Sequence, residues 1–287
     1  MLILGIESAT PVASAALIDE AGLLGEVMLN VGLTHSEQLL PMIDTLLGQC
    51  RRRISDVTAI GVSAGPGSFT GLRIGMATAK ALAQGLSHLG DGQGRQRQGQ
   101  VLAIPTLEAM AWAMAGQTVW ASPMLNARRN QIYTALYRWQ GSADADADVG
   151  ADAEAGADAA GIKKDSQWMK DVFASRQRGK KERIPAGYGE GNLSLTCCIQ
   201  PRATSPEAWA DEMASYMAGN GHTVYLLGDG ATIYREIWDQ EFGIDARVMP
   251  PTVGLCRGSY IAFAAMEAMQ AGRDDLYNSK PIYLRGI

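Results

Sequence analysis

Three places in this chain combine residue types that can do chemistry. They are Glu7-Ser8 at the end of an apolar run, the stretch Gly65-Pro66-Gly67-Ser68-Phe69-Thr70-Gly71-Leu72-Arg73-Ile74-Gly75, and Gly228-Asp229-Gly230. A glycine-rich turn between a strand and a helix lets backbone N–H groups approach a ligand, and the positive end of the helix favours an anion there. Gly65, Gly67 and Gly71 fit that description, and Ser68 or Thr70 can cap the following helix. The Lys-Ser/Thr pair of a Walker loop is missing, however, and Pro66 removes one donor. A turn that only docks its helix tightly on a sheet explains the same glycines, so both readings stand.

Other catalytic chemistry finds little support. His35, His88 and His222 are the only histidines and no two lie four residues apart, which excludes an HEXXH metal site. Cys50, Cys197, Cys198 and Cys256 show no C-x-x-C spacing, so neither a disulfide framework nor a structural zinc is indicated, and free thiols in a reducing cytoplasm are expected. The formal net charge of -5 argues against a protein that grips a phosphate backbone by itself. The apolar N-terminus, Met1 to Ile6, lacks a basic flank and reads as an internal strand; no membrane span is expected.

These residues need elements to position them. Apolar runs at Leu2 to Ile6, Ser14 to Ile18 and Leu23 to Val31 predict three strands in meander order. Thr34-His35-Ser36-Glu37 is a capping box that opens a helix interrupted by Pro41. A strand over Val57 to Ser63, a helix over Gly71 to Leu86 and a strand over Val101 to Ile104 follow. The order β-β-β-α-β-α-β is that of the ribonuclease H-like, actin and sugar-kinase type of domain. Beyond Thr106 a second unit is expected: a helix over Leu107 to Ala115, strands over Val119 to Leu125 and Gln131 to Trp139, a helix from Ser205, a strand over His222 to Leu227, and a last helix over Val253 to Gln270. The expected division is 1–105 and 106–287, with the last helix free to pack back on the first unit. Residues 141–186 read as a mobile, disordered insertion, acidic then basic, whose basic half from Lys163 to Arg183 has the charge of an RNA-contacting arm.

Taken together, Ile3-Leu4-Gly5-Ile6-Glu7-Ser8, Thr34-His35-Ser36-Glu37, the glycine run, Asn126-Ala127-Arg128-Arg129 and Pro281-Ile282-Tyr283-Leu284-Arg285 resemble the TsaB (YeaZ) family. The resemblance covers nearly the whole chain apart from the insertion. It implies an α/β ASKHA fold of two related subdomains and a cytoplasmic, non-catalytic subunit that pairs with the transferase TsaD in threonylcarbamoylation of tRNA adenosine next to the anticodon. Implied partners are TsaD, a TsaE-like ATPase, a second copy when the chain is alone, and tRNA indirectly through the complex. TsaD-like chains carry His-x-x-x-His just after the fifth strand; here Thr106 and Met110 stand at those places, and neither suits such a metal.

Two departures from the family pattern bear on cofactors. The family's first strand usually ends in Asp-Thr-Ser or Asp-Thr-Ala, whereas this chain has Glu7-Ser8-Ala9, and Asn126 stands where Asp is common. A carboxylate at the end of the first strand can hold hydrated Mg²⁺ beneath a nucleotide in ASKHA enzymes. Weak ATP or ADP binding with Mg²⁺ at a subunit or subdomain cleft therefore stays open. So does the alternative of an ASKHA-type small-molecule kinase or ATPase.

In the family, the helices after the third and fourth strands pair with the same two helices of a partner. That places His35, Leu39, Met42, Ile43 and Leu46 on the first helix, and Leu72, Ile74, Met76, Ala79 and Ala83 on the second, at the expected partner surface. The competing assignment is that this stripe faces the domain's own sheet. Ala77, Ala81 and Gly85, with Leu40, supply apolar positions on other faces. His35 reads as a rim or capping residue.

Overall fold

A computed structural model of the chain describes residues 1–31, 35–89, 99–141, 193–218, 223–272 and 281–284. The expected insertion 141–186 lies outside the described residues apart from Gly141, as do Thr34, His222 and Arg285. The first unit is built from β1 (Ile3–Glu7), β2 (Ala13–Asp19), β3 (Gly22–Leu29), α1 (His35–Gln49), β4 (Ala59–Gly65), α2 (Phe69–Leu89) and β5 (Gln100–Pro105), and α3 (Thr106–Ala111) follows it. The second contains β6 (Val119–Asn126), β7 (Ile132–Gly141), β8 (Leu193–Thr204), α4 (Pro206–Met217), β9 (Val224–Leu227), α5 (Asp229–Ile233), α6 (Arg235–Glu241), β10 (Ala246–Val248), α7 (Pro251–Gly254) and α8 (Gly258–Gln270).

The two sheets repeat one topology. The first has the order β3-β2-β1-β4-β5, the second the order β8-β7-β6-β9-β10, so in each the strands run 3-2-1-4-5 in their own sequence order. In both, the first three strands are antiparallel and the last two join the first in parallel. The central strands β1 and β4 are buried along their whole length, so they read as continuous apolar runs rather than alternating ones.

Three cores hold five layers together. Leu4, Ile6, Leu17, Ile60 and Val62 meet Leu39, Ile43, Met76 and Ala79 between the first sheet and α1 and α2. Trp209, Met213 and Trp238 cover the outer face of the second sheet. Between the sheets, α3 and α8 share one core that includes Leu107, Met110, Trp112, Trp139, Ile261 and Ala265. Four fully buried tryptophans, Trp120, Trp139, Trp209 and Trp238, concentrate apolar burial in the second unit.

The last helix belongs to the first sheet by packing, although it follows the second in sequence. A Cβ on Gly5 would lie 2.1 Å from the carbonyl oxygen of Gly258, and one on Gly61 2.7 Å from the Cβ of Ala265, so the glycines admit α8 at close range. Glu26 of β3 supplies its cap, accepting from the Ser259 N–H at 3.1 Å, while Ser14 Oγ accepts from the Gly258 N–H at 3.0 Å. A carboxylate at that end also suits the helix dipole.

The structure corrects several sequence boundaries. β4 ends two residues later than expected, α3 gives way to a 3-10 turn at Trp112–Met114, and the final helix is broken between Gly254 and Gly258. The edge strand β8 is an addition to the expected elements, and Leu193, Leu195, Cys197 and Ile199 alternate in sequence as an edge strand should. The short β10 gives no such pattern.

Candidate functional site

Glu7 ends β1 with its side chain fully buried. Its Oε1 accepts from the Ala9 N–H at 2.8 Å and the Thr10 N–H at 3.0 Å, and Oε2 accepts from the Cys256 thiol at 3.3 Å. Burial pushes the Glu7 carboxyl above its ordinary value, against the pull of the hydrogen bonds from Cys256, Ser63 and the turn. The Cys256 thiol is raised in turn, first by its own burial and then by the Glu7 charge. These partners lock the β1–β2 turn to the start of α8. Both oxygens of Glu7 are thus engaged by donors of the chain itself.

The glycine run resolves into a tight-packing turn. Ser68 caps α2, its Oγ accepting from the Gly71 N–H at 3.2 Å, while the Ser68 N–H donates to the Ala9 carbonyl at 2.7 Å. Gly65 has φ of +110°, and a Cβ there would lie 2.4 Å from the Ile282 carbonyl oxygen. On Gly67 it would meet the Ala9 carbonyl at 2.3 Å, and on Gly71 the Ser8 carbonyl at 2.0 Å. The space in which a phosphate would approach these three glycines holds the chain's own β1–β2 turn and C-terminal segment. Tyr283 of that segment packs on Phe69, ring centroids 5.1 Å apart, and the Arg73 guanidinium sits over Phe69 at 4.4 Å.

α3 joins the two glycine turns. Thr106 Oγ1 accepts from the Gly65 N–H at 3.1 Å. One helical turn on, the Met110 methyl lies 2.8 Å from where a Cβ on Gly228 would stand. Both residues are buried. A hydroxyl engaged with backbone and a thioether packed on glycine do not make a divalent metal site, and among the described residues no group of three or more His, Cys, Asp or Glu could hold an ion. Gly228 has φ of +97° and packs on the Met124 carbonyl, as Gly230 does at longer range. Asp229 Oδ1 accepts from the N–H groups of Asn126 and Gly230 at 3.0 and 2.9 Å.

The expected partner stripe lies mostly inside the molecule. Leu39, Met42, Ile43, Leu46, Met76, Ala79 and Ala83 are buried in the core between the helices and the first sheet, and Leu72 is buried as well. Ile74 keeps part of its surface, as does His35, whose Nε2–H donates to the Thr10 carbonyl at 3.0 Å. The opposite faces are open: Leu40, Pro41 and Asp44 on α1, and Arg73, Ala77, Ala81 and Gly85 on α2. Leu40 is 54% exposed, high for so large an apolar side chain. Spacing left open whether this stripe faces a partner or the chain's own sheet, and in the folded chain it faces the sheet.

Two repeats of the 3-2-1-4-5 sheet, with glycine turns at the carboxyl ends of their parallel strands, define an ASKHA-type protein. The same fold is found in YeaZ from Pseudomonas aeruginosa, with a TM-score of 0.64 and 20% identity over 99% of both chains. A second Pseudomonas aeruginosa protein, described as having similarity to peptidase YEAZ, gives 0.62 and 19% identity, again over 99% of each. Within that class, the chain belongs to the TsaD family, tRNA N6-adenosine threonylcarbamoyltransferase, whose family model matches residues 30–195. It is 32% identical over 140 residues to the tRNA threonylcarbamoyladenosine biosynthesis protein TsaB of Bacillus subtilis, covering 49% of this chain and 56% of that one. With the Escherichia coli protein of the same name it shares 33% identity over 144 residues, 48% of this chain and 55% of the other. The chain thus spans little more than half the length of the curated relatives it matches.

Proposed function

We propose that this chain is a TsaB-type subunit that supports threonylcarbamoylation of tRNA adenosine by pairing with a TsaD-type transferase, and that it does not carry out the transfer. The observation that carries this reading is Thr106 and Met110 on α3, buried at the junction of the two units, where a TsaD-like chain needs two imidazoles. The likeness to TsaB proteins supports the pathway.

The pairing surface belongs on the outer faces of α1 and α2. Ala77, Ala81 and Gly85 form a strip of minimal side chains beside the exposed Leu40, which lets a partner helix approach closely. The same face serves a second copy of the chain when no transferase is present, and a TsaE-like ATPase joins the pair. No helix among the described residues is long and apolar enough to cross a membrane.

Size-exclusion chromatography with light scattering on the chain mixed with its cognate transferase tests the reading. Ala77→Arg and Ala81→Arg should abolish the heterodimer and leave the melting temperature of the chain unchanged. Pairing at wild-type strength by both variants would remove this surface. Threonylcarbamoyl transfer by the purified chain alone would overturn the non-catalytic assignment.

A further inference from the structure

β3 is one edge of the first sheet, and among the described residues no backbone hydrogen bond joins its outer side to another segment. α1 lies chiefly over β2, and α8 over β1 and β2, so β3 reaches past both helical layers. An open edge of this kind is a template for another strand, and proteins ordinarily blunt it with lysine, proline or a bulge. β3 reads Gly-Leu-Leu-Gly-Glu-Val-Met-Leu, with neither lysine nor proline. Of the eight large apolar side chains exposed among the described residues, Leu23, Leu24 and Met28 belong to this strand and a fourth, Val31, follows it. The other four are scattered over α1, α2, α4 and α5.

The remaining sheet edges are different. β5 is buried at every position but Gln100, β10 is three residues long, and β8 shifts register twice against β7 and holds Arg202 in an ion pair with Glu212. Within β3 a bulge at Leu24, where Leu23 pairs with Ile18 and Gly25 with Leu17, turns both leucines to solvent. From Gly25 to Leu29 the strand keeps unbroken register.

Such an edge takes an extended strand that is apolar and uncharged, and the chain itself carries one. Glu26 is the only ionisable side chain in β3; it is 11% exposed and turned inward, accepting from the Ser259 N–H at 3.1 Å and the Ser259 hydroxyl at 3.0 Å, with Arg257 at 3.5 Å. Two-fold symmetry lays the β3 of a second copy antiparallel against this one. Side chains directly opposite in such a pair share a face, so the axis falls on a residue rather than between two. An axis at Glu26 would oppose like charges. An axis at Val27 sets Gly25 against Leu29 and Glu26 against Met28, and so uses the whole regular stretch.

We propose that β3 pairs with the β3 of a second copy, antiparallel about Val27, which joins the first sheets of two chains into one. The contact lies on the sheet edge and leaves the outer faces of α1 and α2 open, so one chain holds a second copy and a transferase at once. It does not depend on the function proposed above.

Light scattering over a dilution series tests the proposal on the full chain carrying Ala77→Arg and Ala81→Arg, so that the helical face no longer pairs. That chain should still dimerise. Adding Leu24→Lys and Met28→Lys should raise the dimer dissociation constant about tenfold or more and leave the melting temperature of the dilute chain unchanged. Amide exchange needs no substitution in β3: over Gly25–Leu29 it should slow when the concentrated chain is compared with the dilute one. A chain that stays monomeric, exchange over β3 that ignores concentration, or lysine variants that dimerise at full strength would overturn the proposal. Loss of transferase pairing through the two lysines would give the edge to the transferase, which also overturns it. Should no transferase pair with the chain while the β3 dimer forms, the proposed function falls and this contact stands.

Discussion

A Cβ on Gly75 would lie 2.1 Å from the Oγ of Ser8, a buried hydroxyl with no hydrogen-bond partner among the described residues. The contact presses α2 against the end of β1, and it is the tightest side-chain approach in the glycine run. Gly75→Ala should destabilise the chain by about 1–3 kcal/mol through overpacking. Ser8→Ala removes an unsatisfied polar atom and should be neutral or slightly stabilising. Combining the two should recover most of the loss, as urea unfolding of all four chains would show. Additive losses would mean that the helix, rather than Ser8, resists the new methyl.

Glu7 makes stability depend on pH with a definite sign. Its carboxyl is raised above the ordinary 4.5, so between the unfolded and folded values the folded chain keeps a proton that the unfolded chain releases. Stability should fall as pH rises from about 4.5 through the folded value and then level off. Glu7→Gln should flatten that segment of the curve. Melting temperatures taken from pH 4 upward compare the two (roughly the carboxylate range), and parallel curves would remove Glu7 as the source.

Met76 and Ala77 are neighbours in sequence and opposite in environment. Met76 is 5% exposed, so Met76→Arg should cost about 3–5 kcal/mol by burying an unpaired charge. Ala77→Arg should leave folding intact within about 0.5 kcal/mol. Chemical denaturation separates them, and equal stabilities would contradict the inward and outward assignment of α2.

In the turn between β6 and β7, Arg128, Arg129 and Asn130 are all left-handed, with φ of +60°, +52° and +54°. Arg129→Gly should raise unfolding free energy by about 1 kcal/mol, because glycine adopts that conformation without steric cost. A loss of stability would show that the arginine side chain supports the fold.

Cys256 should resist thiol reagents in the folded protein, since its thiol is fully buried and held protonated against Glu7. Mass spectrometry after alkylation under native conditions should find Cys256 unmodified, with modification appearing only in denaturant. Native labelling would mean that the start of α8 opens.

Local signals in the chain were enough for the strand and helix order of the first unit. The runs ending at Ile6, Ile18 and Ser63 bury on both faces, and Ser68 caps α2 as its position suggests. β8 is legible in the alternation from Leu193 to Ile199, whereas its pairing with β7 across the long intervening tract is not a local signal. The strain at Arg128 and Arg129 had no trace in sequence, because their φ values are imposed by Asn126, Gln131 and Asp229 closing the turn. The fate of Glu7 was equally hidden, since Cys256 reaches it from 249 residues away.

The sequence by itself determined where the glycines, caps and apolar runs stand, that no two histidines lie four residues apart, and which family the motifs resemble, because these depend on residue type and short spacing. Only the tertiary structure decided which side of α1 and α2 is closed, that the glycine turn is filled by the Ser8–Ala9 turn and Ile282, and that α8 completes the first sheet. Those outcomes depend on which distant surfaces meet. A periodic apolar stripe says that a face will be buried, but what buries it is settled by chain crossings that close only when both sheets are in place.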